Sequence, residues 1–175
     1  MRILFKIGIG LVALAALFFL VGLSLPASTQ MERSVVIAAP VGEVYPHVAD
    51  LRRWHDWSAW HKLEPDATWT YSEPASGKGA WYSWEGEQLG AGEMRVVEAV
   101  PNERIEAEMT FEGQGGADAD FTFEALSPTS TEVTWSFDTE HGSVPERYFG
   151  LLLDRMLGPD YETGLANLKA VAEAG

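Results

Sequence analysis

The sequence predicts an α+β fold: a curved antiparallel β-sheet wrapped around a long carboxy-terminal helix. Two short helices follow the first strand, and one apolar transmembrane helix precedes the whole. Three observations carry this expectation. Ile7 to Leu25 is a run of 19 residues without a charge, and at ~1.5 Å of rise per residue such a helix comes close to the ~30 Å hydrocarbon core of a bilayer. From Ala67 to Asp138 apolar residues recur with period two, as in half-buried strands. Beyond Ser143 the period becomes helical again.

The apolar run follows Arg2 and Lys6 and holds Leu11, Val12, Leu14, Leu17, Phe18, Phe19, Leu20, Val21 and Leu23. It reads as an uncleaved anchor, residues 1–25. A cleaved secretory signal is the competing reading, though such signals have a shorter apolar region, ~7–15 residues, before small residues at the cut. Here the exit is Ser24-Leu25-Pro26-Ala27-Ser28. With no cysteine in the chain, a lipid-modified lipoprotein is excluded. Basic residues gather before the run, and Arg33 alone follows within twenty residues. The bias keeps the amino terminus in the cytoplasm and puts the domain outside. In a bacterium that is the periplasmic side of the inner membrane, with a single pass.

Residues 26–30 read as a short polar linker and residues 31–175 as one domain. Arg33 to Ala38 is rich in β-branched residues and reads as a strand. Pro40 suits a first helical position, and Val41, Val44, Tyr45 and Val48 mark one apolar helical face. Pro46 should kink or shorten that helix. A second short helix is expected over Leu51 to Trp57. Ala80–Glu85 and Glu93–Ala99 read as strands, and the turn Val100-Pro-Asn-Glu103 joins the second of them to the next strand.

Arg104–Phe111 alternates Ile105, Ala107, Met109 and Phe111 against charged or polar neighbours. Ala117–Leu126 sets Ala119, Phe121 and Phe123 against Asp118, Asp120 and Glu124, and Thr131–Asp138 presents Val133, Trp135 and Phe137. With turns at Gly113–Gly116 and Ser127–Ser130, these form a meander with one solvated face. Ser143-Val-Pro-Glu146 is a capping box. It opens a helix through Leu157, which Gly158-Pro159 should interrupt before Tyr161, Leu165, Leu168 and Val171 renew the stripe. A sheet with one apolar face needs a cover, and a final helix gripped by a curved sheet supplies it. This is the helix-grip arrangement, with room for a cavity between the two.

The chain carries 12 basic and 26 acidic residues, a net charge of −14. Setting aside Arg2 and Lys6 leaves 10 basic residues against 26 acidic ones beyond the apolar run, or −16. Nucleic acid is excluded as a partner, because its binding depends on Lys and Arg at phosphates. Electrostatic docking on anionic headgroups is disfavoured for the same reason.

Glu32-Arg-Ser-Val-Val-Ile-Ala-Ala-Pro40, Val48-Ala-Asp-Leu51 and Trp54-x-x-Trp57-Ser-x-Trp60 resemble the START-like (SRPBCC) superfamily. Within it the chain is similar to the polyketide cyclase/dehydrase and lipid-transport family, in a bacterial subgroup with an amino-terminal membrane helix. Ser83-Trp-Glu-Gly86, Val100-Pro-Asn-Glu-Arg104, Met156-Leu-Gly-Pro-Asp160 and Gly164-Leu-Ala-Asn-Leu-Lys169 add to the likeness, which covers roughly Met31 to Ala172. The resemblance implies the helix-grip fold. Its members range from hydrophobic-ligand carriers to aromatic-ring cyclases, and fold analogy does not choose among them.

Candidate cavity residues are Trp57, Trp60, Tyr82, Trp84, Met109, Phe111, Phe121, Phe123, Trp135, Phe137, Phe149 and Leu152. A packed core uses the same residue types, so a filled core stands beside an open cavity. Trp54, Trp57 and Trp60 either line a pocket mouth or cap the grip as core. His47, His55, His61 and His141 lack metal-ligand spacing, so no metal or cofactor is assigned. No nucleophile elbow or cysteine is present and no catalytic residue is assigned. The acidic residues of the meander are expected on the outer face, while Glu85 and Glu93 have ambiguous register, with Arg95 able to neutralise one. Gly77-Lys-Gly79 lacks the phosphate-loop spacing. The leading expectation is an anchored domain holding a hydrophobic small molecule or lipid. An enzyme of the cyclase or hydrolase kind on an apolar substrate, and an anchored protein-interaction module with a filled core, are the alternatives.

Overall fold

The computed structural model describes residues 2–113 and 115–175, with side chains from Phe5 onward. Met1, the side chain of Arg2 and the Gln114 centre of the expected Gly113–Gly116 turn lie outside the described residues. The apolar run forms helix α1 (Arg2–Ser24). Its Phe5–Ser24 stretch is long and apolar enough to cross a membrane, a property that signal sequences share.

Seven strands make one antiparallel sheet in the order β1-β7-β6-β5-β4-β3-β2. They are β1 (Ser28–Ile37), β2 (Thr68–Tyr71), β3 (Trp81–Gly86), β4 (Gly90–Val100), β5 (Arg104–Phe111), β6 (Gly115–Ser127) and β7 (Ser130–Glu140). Strands β3 to β7 form the expected meander, β2 adds an unexpected edge strand, and β1 returns to flank β7. Between β1 and β2 stand α2 (Val41–Ala49), a 3₁₀ turn (Leu51–Arg53), α3 (Trp54–Trp57) and α4 (Ala59–Leu63). The chain closes with α5 (Val144–Ala174), gripped by the sheet. This is the helix-grip fold.

The alternating residues face as their period requires. Ile105, Ala107, Phe121, Phe123, Val133, Trp135 and Phe137 are buried, while Glu108, Asp118 and Glu124 are exposed on the opposite face. Glu93 pairs across the ladder with Ser83 on that same outer face and bonds Arg95 at 2.6 Å.

Three further elements depart from expectation. Strand β1 begins at Ser28, because Ser28–Gln30 pair with Glu140–Asp138. A ladder is a backbone property, so these polar residues join it without any alternation to announce them, and the linker shrinks to the few residues after Ser24. Helix α2 runs through Pro46 to Ala49.

Helix α5, third, continues unbroken across Gly158-Pro159. A proline mid-helix removes one hydrogen bond and crowds the carbonyl four residues back, so something must hold the two halves in line. Arg33 of β1 supplies it. Its guanidinium bonds Asp154 at 2.7 Å and Glu162 at 3.0 Å, one turn before and one turn after Gly158. A Cβ at Gly158 would lie 2.6 Å from Arg33 Nη2, so glycine is what lets the guanidinium sit against the weak point.

The amino-terminal end of α5 carries the capping box read from the sequence, with Ser143 and Glu146 exchanging hydrogen bonds. Its far end is tied to β1 by the Glu173 carboxylate, which accepts from the Ala38 N–H at 2.7 Å.

Candidate functional site

A cavity of about 120 Å³ lies between the sheet and α5. Strands β2 and β3 contribute Trp69, Tyr82 and Trp84, the β3–β4 hairpin Leu89, β5 Met109 and Phe111, and β7 Phe137; helix α4 adds Trp60 and α5 adds Leu157 and Tyr161. Trp69, Tyr82, Trp84 and Phe111 follow one another along the wall, with ring centroids 5.7 to 5.8 Å apart from one to the next. Opposite them, Trp60 meets Tyr161 edge-on at 5.6 Å.

Backbone chemistry sets this wall. Trp84 lies across Gly92, its cross-strand partner; a Cβ there would collide with the indole and come within 2.5 Å of the Thr110 carbonyl. The hairpin carrying Leu89 is fixed by Glu64, whose carboxylate accepts from the N–H groups of Glu87, Gln88 and Leu89 at 2.7 to 3.0 Å. Those bonds, that of Leu89 first, hold the Glu64 carboxyl below its ordinary pKa, since N–H donors favour the charged form.

Among the described residues the lining contains no carboxylate and no histidine. Its polar atoms are two phenols and three indole N–H groups. Burial raises the pKa of both Tyr82 and Tyr161, so these remain neutral hydroxyls. The Trp84 N–H points to the Leu89 carbonyl at 3.4 Å, whereas the Trp69 N–H is buried with no partner among the described residues. His61 stacks on Trp69 with centroids 3.7 Å apart and lies outside the lining. Burial, and secondarily the charge of His55, lowers its pKa to about 4.

Six of the twelve sequence candidates line the cavity: Trp60, Tyr82, Trp84, Met109, Phe111 and Phe137. Trp57, Phe121, Phe123 and Trp135 instead fill the core. Trp54 and Trp57 are anchored there by N–H bonds to the carbonyls of Val48 at 2.8 Å and His47 at 2.9 Å. Phe149 and Leu152 face outward, 48% and 50% exposed. The inward face of α5 is Gly150, Leu153, Leu157, Tyr161, Leu165 and Leu168, and residues 148–153 are apolar or glycine all round, which hides the phase of the helix. Sequence reasoning misses Trp69, Leu89, Leu157 and Tyr161. The Thr-Trp-Thr-Tyr alternation of β2 is the available signal for Trp69, and the helical stripe for Leu157 and Tyr161; nothing in the sequence marks Leu89. Among the described residues no three His, Asp or Glu side chains are grouped to hold a metal ion.

The family described as polyketide cyclase/dehydrase and lipid transport matches residues 28–173. No curated protein matches the chain. Among solved structures, the Zhui aromatase/cyclase from Streptomyces sp. R1128 is similar at 16% identity and a TM-score of 0.61, over 83% of this chain and 94% of that one. A Thermobifida fusca protein is similar at 21% identity and a TM-score of 0.61, over 85% and 95%. A Staphylococcus aureus protein of unknown function reaches a TM-score of 0.62 at 10% identity, over 87% and 97%. At these identities the likeness is one of fold.

Proposed function

We propose a hydrophobic-ligand-binding role, from the premise that the chain belongs to the polyketide cyclase/dehydrase and lipid-transport family. The domain holds a small apolar molecule or part of a lipid in the aromatic cavity. Helix α1 keeps it at the outer face of a bacterial inner membrane, with the amino terminus in the cytoplasm. One observation carries the reading: a cavity walled by aromatic and aliphatic side chains, with the phenols of Tyr82 and Tyr161 among its few polar groups. Apolar walls with few placed polar groups are the usual composition of a small-molecule site.

The size limits the occupant. Typical ligand pockets span ~300–1,000 Å³, while an apolar cavity of ~150 Å³ accepts benzene. At about 120 Å³ the site suits one ring or the end of an acyl chain, and a larger guest requires α5 or the β3–β4 hairpin to give way. Acid–base catalysis on the guest needs an ionisable side chain in reach. The ionisable groups in the lining, Tyr82 and Tyr161, are held protonated by burial, and the buried imidazole of His61 is stacked behind Trp69, so binding is favoured over the cyclase- or hydrolase-type reading. An open cavity also weighs against an interaction module with a filled core.

Native mass spectrometry with lipid analysis of the full chain, extracted from its own membrane, tests the proposal. An apolar compound should co-purify with the wild type and be lost from Leu157→Trp, which fills the cavity. A wild type free of apolar ligand, or equal occupancy in the folded variant, would overturn it.

A further inference from the structure

The outward side of α5 has no use in the cavity, yet Phe149, Leu151, Leu152 and Met156 are each about half exposed (48 to 57%). Phe149, Leu152 and Met156 recur at i, i+3 and i+7, one uncharged stripe along the helix; Pro145, Pro159 and Thr163 extend it at either end. This face adjoins α1. Gly22 of α1 is the close-approach point, where a Cβ would lie 2.9 Å from Tyr148 Cε2. The Tyr148 ring stacks on Phe18 at 4.5 Å, and its hydroxyl donates to the Phe18 carbonyl at 2.8 Å. Arg147 Nη1 donates to the Leu23 and Leu25 carbonyls at 3.1 and 3.4 Å, groups left free where α1 ends.

These contacts fix a depth. Phe18 lies six residues before Ser24, so at ~1.5 Å per residue its contact with Tyr148 sits ~9 Å inside the end of the apolar helix. If α1 spans a bilayer, the first turns of α5 are drawn to the boundary between headgroups and acyl chains. Interfacial helices lie there with an apolar face ~5–10 Å deep, and tyrosines are enriched at that level.

We infer that the first half of α5, Val144 to Leu157, is a second membrane contact that lays Phe149, Leu152 and Met156 into the outer leaflet beside the anchor. This rests on the anchored reading of α1. The contact is hydrophobic: with −16 beyond the apolar run, it requires no anionic lipid and works on zwitterionic phosphatidylcholine. It also brings the bilayer to the segment whose next inward residue, Leu157, lines the cavity.

The chain has no cysteine, so single labels are unambiguous. The full chain is reconstituted into phosphatidylcholine vesicles with a nitrobenzoxadiazole label at Leu152→Cys, Met156→Cys, Glu124→Cys on the outer sheet face, or Leu14→Cys within α1. Labels at 152 and 156 should emit blue-shifted light and be quenched by shallow doxyl lipids at least about twofold more than the label at 124. Water-like emission at 152 and 156 with strong quenching at 14 would overturn the contact and leave the anchor standing. Absence of quenching at 14 would overturn both. A blue shift at 152 without lipid quenching would mean that a protein covers this face, and would also overturn the proposal.

Discussion

Acid should destabilise this protein through His61 well before its carboxylates titrate. The side chain is 4% exposed, flat on Trp69, with Nε2 3.2 Å from the Tyr71 hydroxyl and a buried Nδ1 that has no partner among the described residues. Burial and the neighbouring His55 lower its pKa from 6.5 to about 4. The unfolded chain takes up a proton as pH falls through 6.5, whereas the folded chain resists until about 4. Stability is therefore complete above pH 6.5 and is lost between there and pH 4. At 1.36 kcal/mol per pKa unit, the whole interval is worth at most about 3 kcal/mol, of which about 2 kcal/mol is gone by pH 5. For a domain of this size that is ~4–8 °C in melting temperature. The measurement is urea or thermal unfolding of the full chain in non-ionic detergent at pH 7.5 and 5.0, for wild type and His61→Phe. Other titrating groups, His47 and the carboxylates among them, are common to both chains and cancel in the comparison. The wild type should lose about 2 kcal/mol more than the variant over this interval. Equal losses would refute the assignment of a neutral buried imidazole.

Two further outcomes rest on the geometry. Arg33→Met removes both ion pairs around Gly158; with Arg33 only 28% exposed but its partners above 60%, the urea midpoint should drop by the equivalent of about 1 kcal/mol. Paired spin labels at Leu152→Cys and Ala166→Cys should show a broadened distance distribution across Pro159, and an unchanged distribution would remove Arg33 as the brace. Gly92→Ala forces Trp84 off its strand, so stability should fall by ~1–3 kcal/mol, with altered near-ultraviolet dichroism and loss of the co-purifying ligand; an unaltered spectrum would show that Trp84 has another resting place.

The parts legible in the sequence are those governed by a period. Strand β5 is legible as Arg104–Phe111 because four apolar residues alternate with four polar ones, and the Ser143 capping box because two side chains must meet two backbone donors three residues apart. The hidden parts depend on partners distant in sequence. The continuity of α5 rests on Arg33, more than a hundred residues upstream, so a local reading of Gly158-Pro159 can only see a breaker. The start of β1 rests on the backbone of β7. The division of aromatic residues into lining and filling is hidden for another reason. Phe121, Phe137 and Trp135 share one face of the sheet and the same pattern, yet Phe137 borders the cavity while Trp135 is enclosed by Trp54, Trp57, Phe121 and Tyr161. Sheet curvature and helix position make that difference, and neither has a residue-level signature.

An unbroken α5 also bears on where a ligand would come from. Tyr148, which holds Phe18, and Leu157, which borders the cavity, are nine residues apart on one helix, ~14 Å along its axis; Tyr161 is ~20 Å from Tyr148. A flexible break at Pro159 would leave the position of Tyr161 relative to Leu157 undefined, but the brace from Arg33 to Asp154 and Glu162 spans that point. The two cavity residues of α5 are thereby held ~14 and ~20 Å along the helix from its contact with α1. An apolar molecule leaving the bilayer would cross less water to reach it than one arriving from bulk solution, where its own solubility limits supply. On the anchored reading this favours a membrane-derived guest, and the small cavity volume favours part of that guest, one ring or a chain end, over the whole of it. A ligand found free in solution and absent from the lipid extract would rule out a membrane-derived guest, while leaving the cavity itself intact.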